Sequence, residues 1–121
     1  MFRLPDLSHI GVEPDPRFTL ANERTLLAWN RTALALIGGG LAVGQLIDFS
    51  SAVARVLASV SPVLLGALVA ILSLRRWLAV QRALRRGDPL PLPTTAMALV
   101  VGVCALGVAI VLALVLDASA R

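Results

Sequence analysis

The sequence predicts an all-α integral membrane protein with three transmembrane helices. Three observations point there. The 121 residues are 58% hydrophobic and the mean hydropathy is +0.86, against about 45–50% apolar residues in soluble domains. A chain this short cannot hide that excess in its own core, so a bilayer must take the rest. Second, three apolar tracts, roughly 26–47, 53–74 and 95–116, each reach the length of about 20 residues that a span needs. Third, the charges lie outside the tracts, with only Arg31 and Arg55 inside them.

Residues 1–15 are polar, contain Pro5 and Pro14, and show no period, which predicts a flexible cytoplasmic arm. They hold no apolar h-region, so the first span is expected to act as the insertion signal. His9 stands alone and reads as a solvent-exposed bystander. Asp15-Pro16 reads as an N-cap followed by proline at the first helical position. A helix from 16 to 47 would be about 48 Å long, against a hydrocarbon core of about 30 Å. Its first turns would therefore stand outside the core, with Arg31 inside the apolar zone or at its edge.

Gly40-xxx-Gly44 and Ala35-xxx-Gly39 are close-packing patterns. The short turn at 48–51 makes spans one and two antiparallel neighbours. In span two, Pro62 predicts either a kink or a fresh start after Ser61, and Gly66-xxx-Ala70 offers another small contact. Leu74-Arg75-Arg76-Trp77 is an interfacial anchor. The helix is expected to run on to Arg86, since Gly87 is a natural C-cap and Pro89 a natural stop. A stiff DPLPLP connector at 88–93 leads to an uncharged third span with Ala98-xxx-Gly102. Cys104, at the centre of that span, is expected to pack. The domains are thus an arm at 1–15, a three-helix transmembrane domain at 16–117 with a basic connector at 75–94, and a tail at 118–121. Arg3, Arg17, Arg24 and five arginines after span two lie on one side, and Arg55 and Arg121 on the other. The positive-inside rule puts the N-terminus in the cytoplasm.

The functional question centres on one stripe of the first helix: Arg17, Ala21, Arg24, Ala28, Arg31, Ala35, Gly38, Ala42 and Gln45. Steps of four and three keep all nine on a single face. All eleven basic residues are arginine, a permanent, fork-shaped donor suited to phosphate and carboxylate. No Ser/His/Asp set, metal-ligand spacing or phosphate-binding loop occurs, so neither catalysis nor a cofactor or metal is expected. Nor does anything point to nucleic acid.

Arg31 reads either as an inward-facing group on a polar pathway or as a snorkelling group pinned to lipid phosphate. Arg17 and Arg24 read as interfacial anchors or as part of the same path. Glu23 and Asn30 are candidate polar partners for another helix or subunit. Ala28, Ala35, Gly38, Gly40 and Gly44 are the candidate helix-packing positions. Three helices do not readily enclose a polar face, but copies meeting around the stripe would, and rings of arginine favour anions. The connector arginines would widen that field, or serve only topology and anionic-lipid contact.

Val12-Glu13-Pro14, Leu20-Ala21-Asn22-Glu23-Arg24-Thr25-Leu26-Leu27-Ala28-Trp29 and Arg31-Thr32-Ala33-Leu34-Ala35-Leu36-Ile37 resemble the signature of the YidH family. These are small three-span bacterial inner-membrane proteins whose domain has no assigned function. The domain is similar to the membrane part of the eukaryotic vacuolar transporter chaperone, a polyphosphate polymerase and translocase. The resemblance implies a pentamer around a channel lined by basic residues. It implies that Arg17 and Arg24 match two channel-lining positions, and that Arg75 or Arg76 matches a third. Arg31 belongs to the bacterial pattern.

The expected function is therefore an inner-membrane homo-oligomer with a path or binding site for anions of the phosphate or polyphosphate class, formed by Arg17, Arg24, Arg31, Arg75 and Arg76. The alternative is a non-conducting scaffold whose basic cytoplasmic face binds anionic membrane lipid or a partner protein.

Overall fold

A computed structural model describes Leu7 and residues 9–121 as three helices: α1 Pro16–Leu46, α2 Ala52–Arg86 and α3 Thr94–Ser119. All three are long and apolar enough to cross a membrane. The remaining residues of the expected arm, 1–6 and 8, lie outside the described residues.

Local chemistry sets the helix ends. Asp15 caps α1, its Oδ1 accepting from the Arg17 backbone N–H at 2.9 Å, and Pro16 takes the first turn, where no donor is needed. Ser51 caps α2 by accepting from the Ala54 N–H at 3.3 Å. Gly87 ends α2 in the left-handed region (φ 71°), and its N–H returns to the Ala83 carbonyl. Pro62 does not begin a new helix, since α2 is continuous across it. α3 runs three residues past the expected span, to Ser119.

Helix α2 is the middle element: it packs on α1 along one side and on α3 along another, while α1 and α3 do not pack on each other. The α1–α2 seam rests on two reciprocal glycines. A Cβ on Gly40 would lie 2.5 Å from the Ser59 carbonyl oxygen, and one on Gly66 would lie 2.7 Å from the Ala33 carbonyl oxygen. Each helix thus notches into the other's backbone, the close approach that small residues permit between membrane helices. Asn22 Nδ2 adds a hydrogen bond to the Trp77 carbonyl at 3.1 Å. The pairs Asn22/Trp77, Ala33/Gly66 and Gly40/Ser59 advance by equal steps along both helices, so the antiparallel register holds along the whole seam.

The α2–α3 seam is built from Ala54, Ala58 and Ala113, with Ala54 and Ala113 fully buried. Leu65 fills the space beside Gly102. Asp117 closes the far end, its Oδ1 accepting from the backbone N–H groups of Ser50 and Ser51 at 2.5 and 3.0 Å. Cys104 lies exposed on α3, so the packing role expected of it is not played within this chain.

Candidate functional site

The face of α1 that packs on α2 runs through Asn22, Leu26, Trp29, Ala33, Ile37 and Gly40. With 3.6 residues per turn, the arginine stripe falls on the opposite side of the helix. All nine of its residues, Arg17, Ala21, Arg24, Ala28, Arg31, Ala35, Gly38, Ala42 and Gln45, are exposed. Nothing lies within 4 Å of a Cβ placed on Gly38. Arg17 reaches back to Asp15 at 3.4 Å, an exposed pair that contributes little stability. Among the described residues, Arg24 and Arg31 have no hydrogen bond or ion pair. The α1–α2 register sets Arg24 level with Arg75, and Arg31 about 10 Å further along the axis.

Of the expected packing positions, Gly40 and Gly44 meet Ser59 across the α1–α2 seam, whereas Ala28, Ala35 and Gly38 lie on the outer stripe. The Ala35-xxx-Gly39 pair also points outward. Arg75 and Arg76 are not on the stripe face. Arg76 is half-buried and donates from Nη1 to the Leu92 carbonyl at 2.9 Å. Both line a cavity of about 250 Å³ where α2 meets the connector and the start of α3, together with Leu72, Ala79, Pro91, Thr94 and Thr95. Within one chain, then, the five arginines fall into two groups, one on α1 and one at the α2–α3 end.

Glu23 is exposed beside an apolar hollow of Leu26, Leu27, Leu74 and Trp77, and among the described residues it has no ion pair. Asn30 is half-buried and makes no hydrogen bond among the described residues. The polar inter-helix contact is made by Asn22 instead, and its place on the stripe of Leu26, Trp29 and Ala33 is the signal that marks it. Near the same level, the indole Nε1 of Trp77 and the Oε1 of Gln81 are buried without a partner among the described residues.

The end of α2 also holds part of the arm. The Val12 N–H donates to the Arg85 carbonyl at 2.9 Å, and Arg85 Nε donates to the Ile10 carbonyl at 2.8 Å. Gly11 between them has φ 56°, and a Cβ there would run into the Arg85 carbonyl oxygen. At the opposite end of α1 and α2, Gly40, Leu41, Gly44, Gln45, Arg55 and Ser59 line a groove of about 380 Å³.

Residues 17–83 match the family described as a domain of unknown function (DUF202). This chain belongs to the DUF202 family. Helices α1 and nearly all of α2 make up the matched DUF202 region, so the arginine stripe and the two seam glycines are inside it. The chain is 48% identical over 105 residues to the uncharacterized protein Rv2272 of Mycobacterium tuberculosis, covering 86% of this chain and 85% of that one. It is 42% identical over 86 residues to the inner membrane protein YidH of Escherichia coli, covering 70% and 75%. The resemblance to the YidH family read from the sequence is thus supported. No solved structure matches this DUF202 chain.

Proposed function

We propose that this DUF202 protein assembles with copies of itself in the bacterial inner membrane, N-terminus in the cytoplasm, so that Arg17, Arg24 and Arg31 line a shared path or binding site for anions of the phosphate or polyphosphate class. The observation that carries this is the outward exposure of all nine stripe residues, opposite the face that α2 covers. An arginine turned toward acyl chains at mid-membrane costs about 2.5–3.5 kcal/mol even on the lenient scale. The chain's own α3 does not pack on α1 and leaves the stripe uncovered. Another copy would cover it. The alanines between the arginines, and Ala35 and Gly38 beyond them, permit close helix approach, and guanidinium rings favour anions. The inner-membrane location draws on the name of the Escherichia coli relative. The anion class and a pentameric ring draw on the resemblance to the vacuolar transporter chaperone. No catalytic step is assigned.

Liposome flux of phosphate and short polyphosphate tests the proposal, wild type against Arg24→Ala and Arg31→Ala. Anion-dependent flux that either substitution reduces is expected. Absence of flux in the wild type overturns the conduit. A second reading is favoured by Arg82 and Arg86, both exposed at the end of α2. In it the basic end binds anionic lipid or a partner subunit, with no path. Native mass measurement in detergent separates the two: a ring of several copies supports the first, and a monomer or a complex with an unrelated chain supports the second.

A further inference from the structure

Helix α1 repeats itself. From Leu20 its sequence runs Leu-Ala-x-x-Arg-Thr-x twice, then Leu-Ala-x-x-Gly-Gly-x, then Leu-Ala to Ala42. The period is seven residues throughout. A span that meets only lipid needs apolar residues but no period. A strict seven-residue repeat is the pattern of helices that coil around one another with a left-handed twist.

Each position of the repeat has its own place around α1. At about 100° per residue, the arginines face away from α2, and the leucines and threonines flank them on opposite sides. The leucine flank is bulky and open: Leu20, Leu27, Leu34 and Leu41 are 59%, 64%, 70% and 60% exposed. The other flank is small. Ala21, Thr25, Ala28 and Gly39 are exposed, and nothing lies within 4 Å of a Cβ placed on Gly39. Helix α3 covers neither flank, since it does not pack on α1. One flank offers knobs and the other offers holes.

The two flanks also differ in charge. Glu23 stands on the leucine side, at the rim of a hollow of about 240 Å³ with Leu26, Leu27, Leu74 and Trp77. Among the described residues its carboxylate has no ion pair. On the threonine side, Arg76 lines a hollow of about 230 Å³ with Phe18, Ala21, Asn22 and Thr25. Its bond to the Leu92 carbonyl leaves most of its donors open. The Asn22–Trp77 bond sets the antiparallel register, and one step along it puts Glu23 level with Arg76. The carboxylate and the guanidinium therefore stand at one height, on opposite sides of the α1–α2 pair.

We infer that a second copy of the chain docks on α1 side by side and in the same orientation, the leucine flank of one copy against the threonine flank of the next, with Glu23 paired to Arg76 of the next copy. This rests on the reading that copies surround the arginine stripe, and it adds which surfaces meet. A contact between two different patches repeats in one direction around an axis and closes as a ring, whereas a self-complementary patch stops at two copies. Rotation about an axis along the membrane normal moves no copy up or down, so groups that pair around it must share a height. Glu23 and Arg76 do. The arginines of the stripe, lying between the two flanks, then face the axis.

Cysteine cross-linking of the full chain in proteoliposomes tests it, in a Cys104→Ser background because Cys104 is exposed. Leu27→Cys together with Thr25→Cys is expected to give disulfide-linked multimers on oxidation. Two residues apart on one helix, these thiols do not face each other, so the link must join two copies. Each single variant is expected to stay unlinked, because a disulfide needs Cα atoms within about 7 Å and the two flanks of equal kind never meet. Native mass measurement in detergent supplies the second readout. Glu23→Arg is expected to abolish the multimer, and Glu23→Arg with Arg76→Glu to restore it, as for a charge pair that selects its partner. Leu34→Ala is expected to lower the copy number. Leu114→Ala, which shortens an α3 leucine that is 55% exposed, is expected to leave it unchanged. Linkage of either single variant shows a two-fold contact and overturns the inference. So does a multimer that forms without the double-variant link, or one that Glu23→Arg leaves intact, and in both cases self-assembly itself still stands. A wild-type chain that stays monomeric overturns both.

Discussion

The side-chain amide of Asn22 donates to the carbonyl oxygen of Trp77 across the α1–α2 seam at 3.1 Å. Two residues on, Arg24 points the other way. The bond thus fixes the rotation of α1 about its own axis at the level where its charges begin, and with it the direction in which the guanidiniums face.

Asn22→Ala is expected to lower stability by about 0.6–1.7 kcal/mol, the range measured for polar contacts between membrane helices. Asn30→Ala, at a position with no hydrogen bond among the described residues, is expected to stay within about 0.5 kcal/mol. Thermal unfolding in detergent compares the two. Equal losses would refute the assignment of the contact to Asn22.

Gly66→Ala and Gly38→Ala are expected to differ in sign. At Gly66 the added methyl meets the Ala33 carbonyl and Ile37, an overpacking that costs about 1–3 kcal/mol. At Gly38 it meets nothing within 4 Å, and alanine gains about 1 kcal/mol of helix propensity. The same unfolding measurement decides. A bulkier Gly38→Leu should leave the chain folded and lower the copy number seen by native mass measurement, because it obstructs the outer stripe.

Asp117→Ala is expected to loosen the join between α3 and the α1–α2 turn. Its carboxylate accepts from two backbone N–H groups at the start of α2, a favourable place for negative charge, and Arg121 pairs with it at 3.0 Å. Hydrogen exchange should rise at Ser50 and Ser51 before it rises elsewhere. Asp117→Asn should fall between wild type and alanine. Unchanged exchange at both serines would remove this role.

Gly11→Ala is expected to release the arm from the end of α2. The left-handed φ costs a non-glycine residue about 1–2 kcal/mol, and the methyl would run into the Arg85 carbonyl. Limited proteolysis of the arm should accelerate while the melting of the three helices stays unchanged. Equal cleavage rates would show that the contact does not hold it.

Much of the architecture was readable because its signals are local. Asp15-Pro16 and Gly87 mark helix ends through chemistry confined to a few residues, and span lengths follow from composition. The orientation of α1 was harder to read. Two faces of that helix carry small residues, and close-packing patterns permit a neighbour to approach without saying which one. Gly40 and Gly44 meet α2, while Ala28, Ala35 and Gly38 do not. The Asp117 contacts join residues 66 and 67 positions apart, which no local pattern encodes. The cavity at the start of α3 was equally hidden. Thr95, which lines it, looks like an ordinary span boundary until α2 is placed beside it.

Helices α1 and α3 share only α2 as a spine. The Gly40 and Gly66 notches and the Asn22 bond key α1 to that spine along the seam, so the charge-bearing helix is carried by α2 alone. Mechanically the chain divides into an arginine-bearing rod keyed into the spine and a strut clamped at its far end by Asp117.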